Sequence, residues 1–155
     1  MALKFVKIRG GVIPTPVFIN ALASGTIQRG SIVEFSRANA RVEPASSNST
    51  TTNIFGIALD YVQGASDTYT RVVPFAQGQI WEIDCTNAVT TAQLFLKHAL
   101  TDSLTLNNSA TDVKTAKGVF MAYNVVQGSI GITLLRGEFI RAPVGWGGTD
   151  TSGYF

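Results

Sequence analysis

The stretch NIFGIALDYVQGASDTYTRVVPFAQGQIWEIDC, Asn53 to Cys85, decides how the rest of the chain is read. Three apolar runs are separated by glycine turns. Ile54 to Val62 is apolar except at Gly56 and Asp60. Residues 63–67 are turn-forming. Thr68 to Phe75 is rich in β-branched and aromatic residues, Ala76-Gln77-Gly78 turns again, and Gln79 to Cys85 alternates. In that last run Trp81, Ile83 and Cys85 share an apolar face, with Glu82 and Asp84 on the other. Alternation of period two, β-branched enrichment and glycine punctuation signal strands and hairpins. The stretch predicts a β-meander, and the chain around it predicts an all-β protein: a small antiparallel β-barrel or sandwich of short strands.

A chain of 155 residues fits one domain. Charged residues make up only 14% of it, where about 25% is usual. Serine, threonine, asparagine, glutamine and glycine take their place. A polar surface with few charges suits contact with other protein, because charge is depleted at interface cores. It also suits an ordinary low-charge β-domain. The net charge of +2 is too small to imply a nucleic-acid partner. The single cysteine, Cys85, excludes an intrachain disulfide framework. The first residues contain no long apolar stretch, so neither a signal peptide nor a membrane span is expected, and synthesis in a cytoplasm is.

Outward from the central stretch, Lys4 to Arg9 alternates basic and apolar residues before Gly10-Gly11. It reads either as a first strand or as an extended arm, and residues 1–11 form this N-terminal segment. Residues 12–141 form the single β-domain. Within it, Ser31 to Ser36 is a strand with Ile32 and Glu34 facing one way and Val33 and Phe35 the other, and Arg41 to Pro44 is its hairpin partner. Residues 45–53 hold no apolar side chain larger than alanine, which predicts an exposed, mobile loop. Residues 93–100 admit two readings: a short helix capped by Thr90 or Thr91, or a hairpin running from Leu94–Leu100 into Ser103–Leu106, which the alternation favours. Val119–Val126 and Ser129–Leu135 read as a last hairpin around Gln127-Gly128. Gly56 to Gly64 and Gly118 to Gly128 resemble one another: each has a tyrosine five residues after the glycine, and each ends in Val-Gln-Gly. This is either a weak internal repeat or the shared vocabulary of β-hairpins. Residues 142–155 form a glycine-rich tail in which Trp146, Tyr154 and Phe155 are the candidate anchors, since aromatics are common at the centres of interfaces.

Catalytic constellations are missing from the sequence. His98 is the only histidine and lies among Leu96, Lys97 and Leu100, so it reads as a packed or surface side chain rather than a catalytic one; one cysteine and one histidine cannot furnish a typical zinc site. No calcium loop or phosphate-cradling glycine loop is present. Glu82 and Asp84, two residues apart on one strand face, allow the paired carboxylates of glycoside hydrolysis, but read more simply as a solvated face. The expectation is a non-enzymatic protein with no catalytic residues, no cofactor and no metal.

One order of motifs carries a family resemblance. It runs Gly25-Thr26-Ile27-Gln28-Arg29-Gly30-Ser31-Ile32-Val33-Glu34-Phe35, then Ile54-Phe55-Gly56-Ile57-Ala58, then Val72 to Trp81, with Leu100-Thr101-Asp102 and Ala116-Lys117-Gly118-Val119 later. Across residues 20–135 this resembles the small β-barrel head decoration (cement) proteins of tailed bacteriophages. The polar loop and the arm-like termini depart from the plainest members. The resemblance implies a virion structural protein on the capsid exterior, a homotrimer that clamps the major capsid protein, with neither nucleic acid nor membrane as partner. In that role Lys4, Phe5, Lys7 and Arg9 would lie on an arm that adds a strand to a neighbour. Two other readings remain open: a low-copy neck or tail connector, and a carbohydrate-binding module using Trp81, Tyr61, Tyr69 and Tyr123.

Overall fold

A computed structural model of the chain describes residues 4–8, 19–36, 38, 40–63, 68–109, 111–126 and 133–142. The described residues form short strands and one turn of 3-10 helix: β1 (Lys4–Ile8), β2 (Ile19–Leu22), β3 (Ile32–Ser36), β4 (Arg41–Pro44), β5 (Ile54–Ala58), β6 (Tyr69–Pro74), β7 (Gln79–Cys85), the 3-10 turn (Thr91–Gln93), β8 (Lys97–Leu100), β9 (Thr105–Asn107), β10 (Phe120–Val125) and β11 (Leu134–Phe139). The fold is all-β, as the alternation predicts.

The strands divide into two sheets. One has the order β2-β6-β5-β3-β4; the other has the order β1-β7-β11-β10-β8-β9, with β9 returning to pair with β7. That return is parallel, Asp84 to Thr105 and Cys85 to Leu106, and it closes five strands into a barrel. The first sheet closes in the same sense through one parallel bridge, Ala23 to Val42.

The two halves have the same topology. Substituting β7, β8, β9, β10 and β11 for β2, β3, β4, β5 and β6 turns one strand order into the other. The registers agree as well. Val33 lies opposite Gly56 as His98 lies opposite Phe120. Ala58 lies opposite Val72 as Ala122 lies opposite Gly137. The Ser24 amide donates to the Val42 carbonyl at 2.8 Å and the Thr86 amide to the Leu106 carbonyl at 2.9 Å. The weak sequence repeat falls on the matching strands β5 and β10, but its alignment is displaced. Gly56 corresponds to Phe120 rather than Gly118. The second copy is two residues longer, and a bulge falls within it in β10 between Ala122 and Asn124, where period-two alignment loses count.

The faces of the two units are used differently. Ala23, Val33, Val42, Ala58 and Val72 fill the first unit's interior with Ile27 and Val62. Its opposite face carries Ile32, Ile57 and Val73, neighbours across β3, β5 and β6. These three belong to the larger core, together with Trp81, Ile83, Cys85, Leu106, Phe120 and Phe139 of the second unit. The first unit is therefore apolar on both faces and needs a cover, and the second unit supplies it. At the positions matching Ile32, Ile57 and Val73 the second unit has Lys97, Met121 and Glu138. Phe75 fastens the junction, stacked on Phe139 at 3.9 Å between ring centroids and edge-on to Trp81 at 5.6 Å.

Several expectations are corrected. The central stretch is not a three-stranded meander: β5 and β6 pair, but β6 and β7 lie in different sheets. The Ala76–Gly78 turn, with Gly78 at φ 90°, is a crossover between units. Residues 45–53 are an exposed loop only in part. Ser46, Ser47 and Asn48 are exposed, but Ala45, Ser49 and Thr51 are buried, the Thr51 amide donates to the Ala116 carbonyl at 2.8 Å, and the Thr51 carbonyl accepts from the Ala142 amide at 2.6 Å. Small hydroxyl side chains satisfy a tightly turned backbone there, which composition alone cannot separate from a solvated loop. Both readings of residues 93–100 contain part of the outcome: Thr90 caps a single 3-10 turn, and the hairpin of β8 and β9 begins only at Lys97. The last hairpin pairs β10 with Leu134–Phe139, later than expected, and residues 127–132 lie outside the described residues.

Two backbone positions test this architecture. A Cβ on Gly137 would lie 1.9 Å from the Met121 carbonyl oxygen, beside the β10 bulge. Gly137→Ala must push the β10 backbone away and should destabilise the protein by about 2–3 kcal/mol in urea unfolding. Phe95 has φ 60°, at the place where the first unit has Gly30 with φ 81°. Each residue's amide donates to the matching carbonyl, that of Ala122 at 2.8 Å and of Ala58 at 2.7 Å. For a side chain that conformation costs about 1–2 kcal/mol. Phe95→Gly removes this cost, set against about 0.5–1 kcal/mol of added chain entropy. Unlike an ordinary Phe→Gly change, it should leave unfolding stability within about 1 kcal/mol of the native chain.

Candidate functional site

Of the residues singled out in the sequence, Lys4, Phe5 and Lys7 lie on β1; Arg9, Trp146, Tyr154 and Phe155 lie outside the described residues. β1 is a strand of its own chain's sheet. It runs antiparallel to β7 with Lys4 opposite Glu82, Phe5 opposite Trp81, Lys7 opposite Ile80 and Ile8 opposite Gln79, and a bulge falls between Phe5 and Lys7. It covers the first half of the β7 edge, whose second half is taken by β9. Among the described residues β1 pairs with no other strand, so its outer edge is an edge of the sheet. Lysines and a bulge on such a strand discourage indiscriminate edge-to-edge pairing.

Exposed aromatic side chains gather at the poles of the two units. In the first, Tyr61 is 60% exposed and Tyr69 is 64% exposed. Beside them Arg71 grips Asp60: its Nε lies 2.9 Å from Oδ2 and its Nη2 lies 2.6 Å from Oδ1. The guanidinium holds the Asp60 carboxyl down to about 2. At the second pole Phe95 is 71% exposed and leans on Tyr123, their centroids 6.5 Å apart. Nothing in the apolar spacing marks Phe95; a left-handed backbone and an outward ring follow only from the turn in which it sits. Trp81, a sugar-platform candidate in the sequence, is buried in the junction at 4% exposure.

The ionisable groups inside are engaged in structure. Glu82 is not on a solvated face: it is buried and ion-paired with Arg136, its neighbour on β11. Such a partner is what makes burial of a carboxylate tolerable. His98 is fully buried in the second unit, where the first has Val33. Its Nε2 donates to the Gln93 carbonyl at 2.9 Å, and burial pushes its pKa down, so the ring stays neutral. Burial pushes the Cys85 thiol up to about 12, leaving an unreactive small apolar group.

Glu34 and Glu43 face one another directly across β3 and β4. They line an open hollow of about 390 Å³ with Phe35, Ser36, Ala38, Thr52 and Asn53. Glu34 accepts a hydrogen bond from the Ser49 hydroxyl. Partial burial, with Glu43 beside it, raises its pKa above the ordinary 4.5 despite that bond. No group of three or more His, Cys, Asp and Glu among the described residues is placed to hold a metal ion. Among the same residues no helix is long and apolar enough to cross a membrane.

No protein-family model matches the chain, and no curated protein does. Among solved structures, the chain is similar to the head fiber gp8.5 N base of bacteriophage phi29, at 15% identity and a TM-score of 0.48, over 79% of this chain and 92% of that one.

The opposed carboxyls give the hollow a pH signature. The ionised form of Glu34 is disfavoured in the folded state, so its cost is absent below pH 4.5 and grows as pH rises through the folded-state value. Glu34→Gln should therefore raise stability at pH 7 by about 0.2–1 kcal/mol, the usual scale for like charges opposite one another. The gain should vanish toward pH 4 in thermal unfolding measured across that range.

Proposed function

We propose that this protein is a non-enzymatic virion structural protein that decorates the exterior of a capsid and stabilises the lattice of its major capsid protein as a homotrimer. The observation that carries the reading is the contrast between what the chain buries and what it leaves outside. His98, Cys85 and Glu82 are held in packing, hydrogen bonding and ion pairing. Outside stand the outer edge of β1 and the aromatics Tyr61, Tyr69 and Phe95. Strand edges and exposed aromatics are means of adhering to protein: the edge supplies main-chain hydrogen bonds and the rings supply apolar anchors. The motifs that resemble head decoration proteins support the same reading. The turn ending at Gly30 leads into β3, Ile54–Ala58 is β5, and Val72 to Trp81 spans the junction between units.

A cement protein must outlast the strain of the shell it holds, and the junction suits that load. Ring packing of Phe75 on Trp81 and Phe139 ties the two units together and opposes a hinge between them. Clamping across neighbouring capsid subunits needs such rigidity, because a hinge would let the lattice open between the contacts. Tyr61 and Tyr69 also favour a second reading, a carbohydrate-binding module that stacks sugar rings on exposed tyrosines.

The ratio of this chain to the major shell protein in purified particles, measured by quantitative mass spectrometry, separates these readings. Decoration of the whole lattice predicts a ratio near one to one. A ratio of a few per cent overturns it in favour of a neck or tail position, and absence from particles, with binding on a glycan array, transfers the function to sugar recognition.

A further inference from the structure

The arginines of the described residues are engaged or solvated, with one exception. Arg71 and Arg136 are paired with Asp60 and Glu82, Arg41 donates to the Ala23 carbonyl, and Arg29 is exposed. Arg141, just after β11, is different. It is half-buried, its guanidinium carbon lies 4.8 Å from the centroid of the Phe55 ring, and its Nε is buried with no hydrogen-bond partner. No carboxylate among the described residues forms an ion pair with it. Burial pushes its pKa down, and no anion opposes that shift. Phe35, which leans on Phe55 with centroids 6.3 Å apart, also lines the hollow of Glu34 and Glu43. Those carboxyls face one another across β3 and β4 and do not pair with Arg141.

The contact with Phe55 does not account for the residue by itself. Stacking uses the face of a guanidinium, whereas its five N–H donors lie in the plane. A half-buried cation with unmet donors costs stability, and a neutral acceptor would leave the charge uncompensated. The backbone on either side is fixed: the Ile140 amide donates to the Val119 carbonyl at 2.7 Å and the Ala142 amide to the Thr51 carbonyl at 2.6 Å. Thr51 is fully buried and bonded in turn to Ala116, and its hydroxyl also has no partner. The guanidinium is thus held by an ordered backbone and a ring before anything binds, which lowers the ordering cost of binding.

We propose that Arg141, seated on Phe55, is a receptor for a carboxylate side chain, an aspartate or glutamate, of the protein to which this chain adheres. A planar carboxylate accepts two parallel N–H bonds from a guanidinium fork. Charge selects it over phosphate, because one guanidinium neutralises one carboxylate and leaves a phosphate dianion half compensated. Phe35 and Phe55, both half-buried, offer apolar surface for the stem of such a side chain. This inference rests on the adhesive reading above and names the chemistry of one of its contacts. Its test uses free protein and small peptides without particles, so its failure is distinct from a failure of the capsid reading.

The experiment is a titration of the isotope-labelled full chain, followed by proton–nitrogen correlation spectra at the Arg141 Nε–H and at the backbone amides of Phe55 and Ala142. The probes are a blocked Gly-Asp-Gly tripeptide, its Gly-Asn-Gly counterpart and inorganic phosphate, at constant pH and ionic strength. The aspartate peptide should shift these resonances saturably, with half-saturation roughly in the millimolar range, and the asparagine peptide should not. Arg141→Lys keeps the charge and loses the fork; it should bind the aspartate peptide roughly tenfold more weakly, while Arg29→Lys should bind it as the native chain does. Resonances that drift alike with both peptides overturn the proposal. So does tighter binding of phosphate than of the aspartate peptide, or a folded Arg141→Lys protein that binds like the native one. Should Arg141→Lys not fold, the contrast between the two peptides on the native chain decides alone.

Discussion

Everything in this fold depends on covering the apolar outer face of the first unit. Ile32, Ile57 and Val73 form a row across three strands on the side opposite that unit's own interior. A sheet with two apolar faces is stable only when both are covered. Phe75, one residue after β6, stacks on Phe139 and meets the edge of Trp81. It turns the chain out of one sheet and anchors it in the next. Each such ring, fully buried, contributes about 1.5–3 kcal/mol by transfer alone, and aromatic pairing adds about 0.5–1.5 kcal/mol. That is enough for the junction to weigh heavily in a total stability that is commonly 5–15 kcal/mol.

The two units share a strand order and differ in what their side chains do. Where the first has Val33, the second has a buried neutral histidine; where the first has Ile32 and Val73, the second has Lys97 and Glu138. The backbone pattern tolerates these exchanges because hydrogen bonding between strands is blind to side-chain identity. The polar groups at those positions of the second unit, Lys97 and Glu138, are nonetheless buried. Individuality therefore resides where the repeat is broken: the Phe95 turn, the β10 bulge beside Gly137, and β1, which pairs only with the second unit among the described residues.

These departures point outward. The bulge and Gly137 let strands approach closely, Phe95 presents a ring to solvent, and β1 presents a strand edge. Most of the chemistry-bearing side chains point inward or are paired at the surface. Such an arrangement suits adhesion, since a charge-poor surface lowers the desolvation cost of contact.

The sequence by itself determined the strands and their inward faces. Val33 and Phe35 against Ile32, and Trp81, Ile83 and Cys85 together, were legible because side chains alternate along any strand whatever its partner. The burial of Cys85 as a small apolar group was also legible, from its place on the apolar face of a strand. Partnership was not. Whether β7 continues the sheet of β6 or opens another depends on contacts between residues far apart in sequence, and the Ala76–Gly78 turn is compatible with both. The burial of Glu82 follows from packing in space, because its cation is Arg136 on β11, fifty-four residues away. The partners of residues 45–53 also lie far off in the chain: the Thr51 backbone bonds to Ala116 and Ala142, and the Ser49 hydroxyl donates to Glu34. The tertiary structure alone showed Phe95 turned outward, since a left-handed backbone at a non-glycine residue leaves no mark in a pattern of apolar spacing. Local alternation is a property of neighbours in the chain; burial, pairing and exposure are properties of neighbours in space.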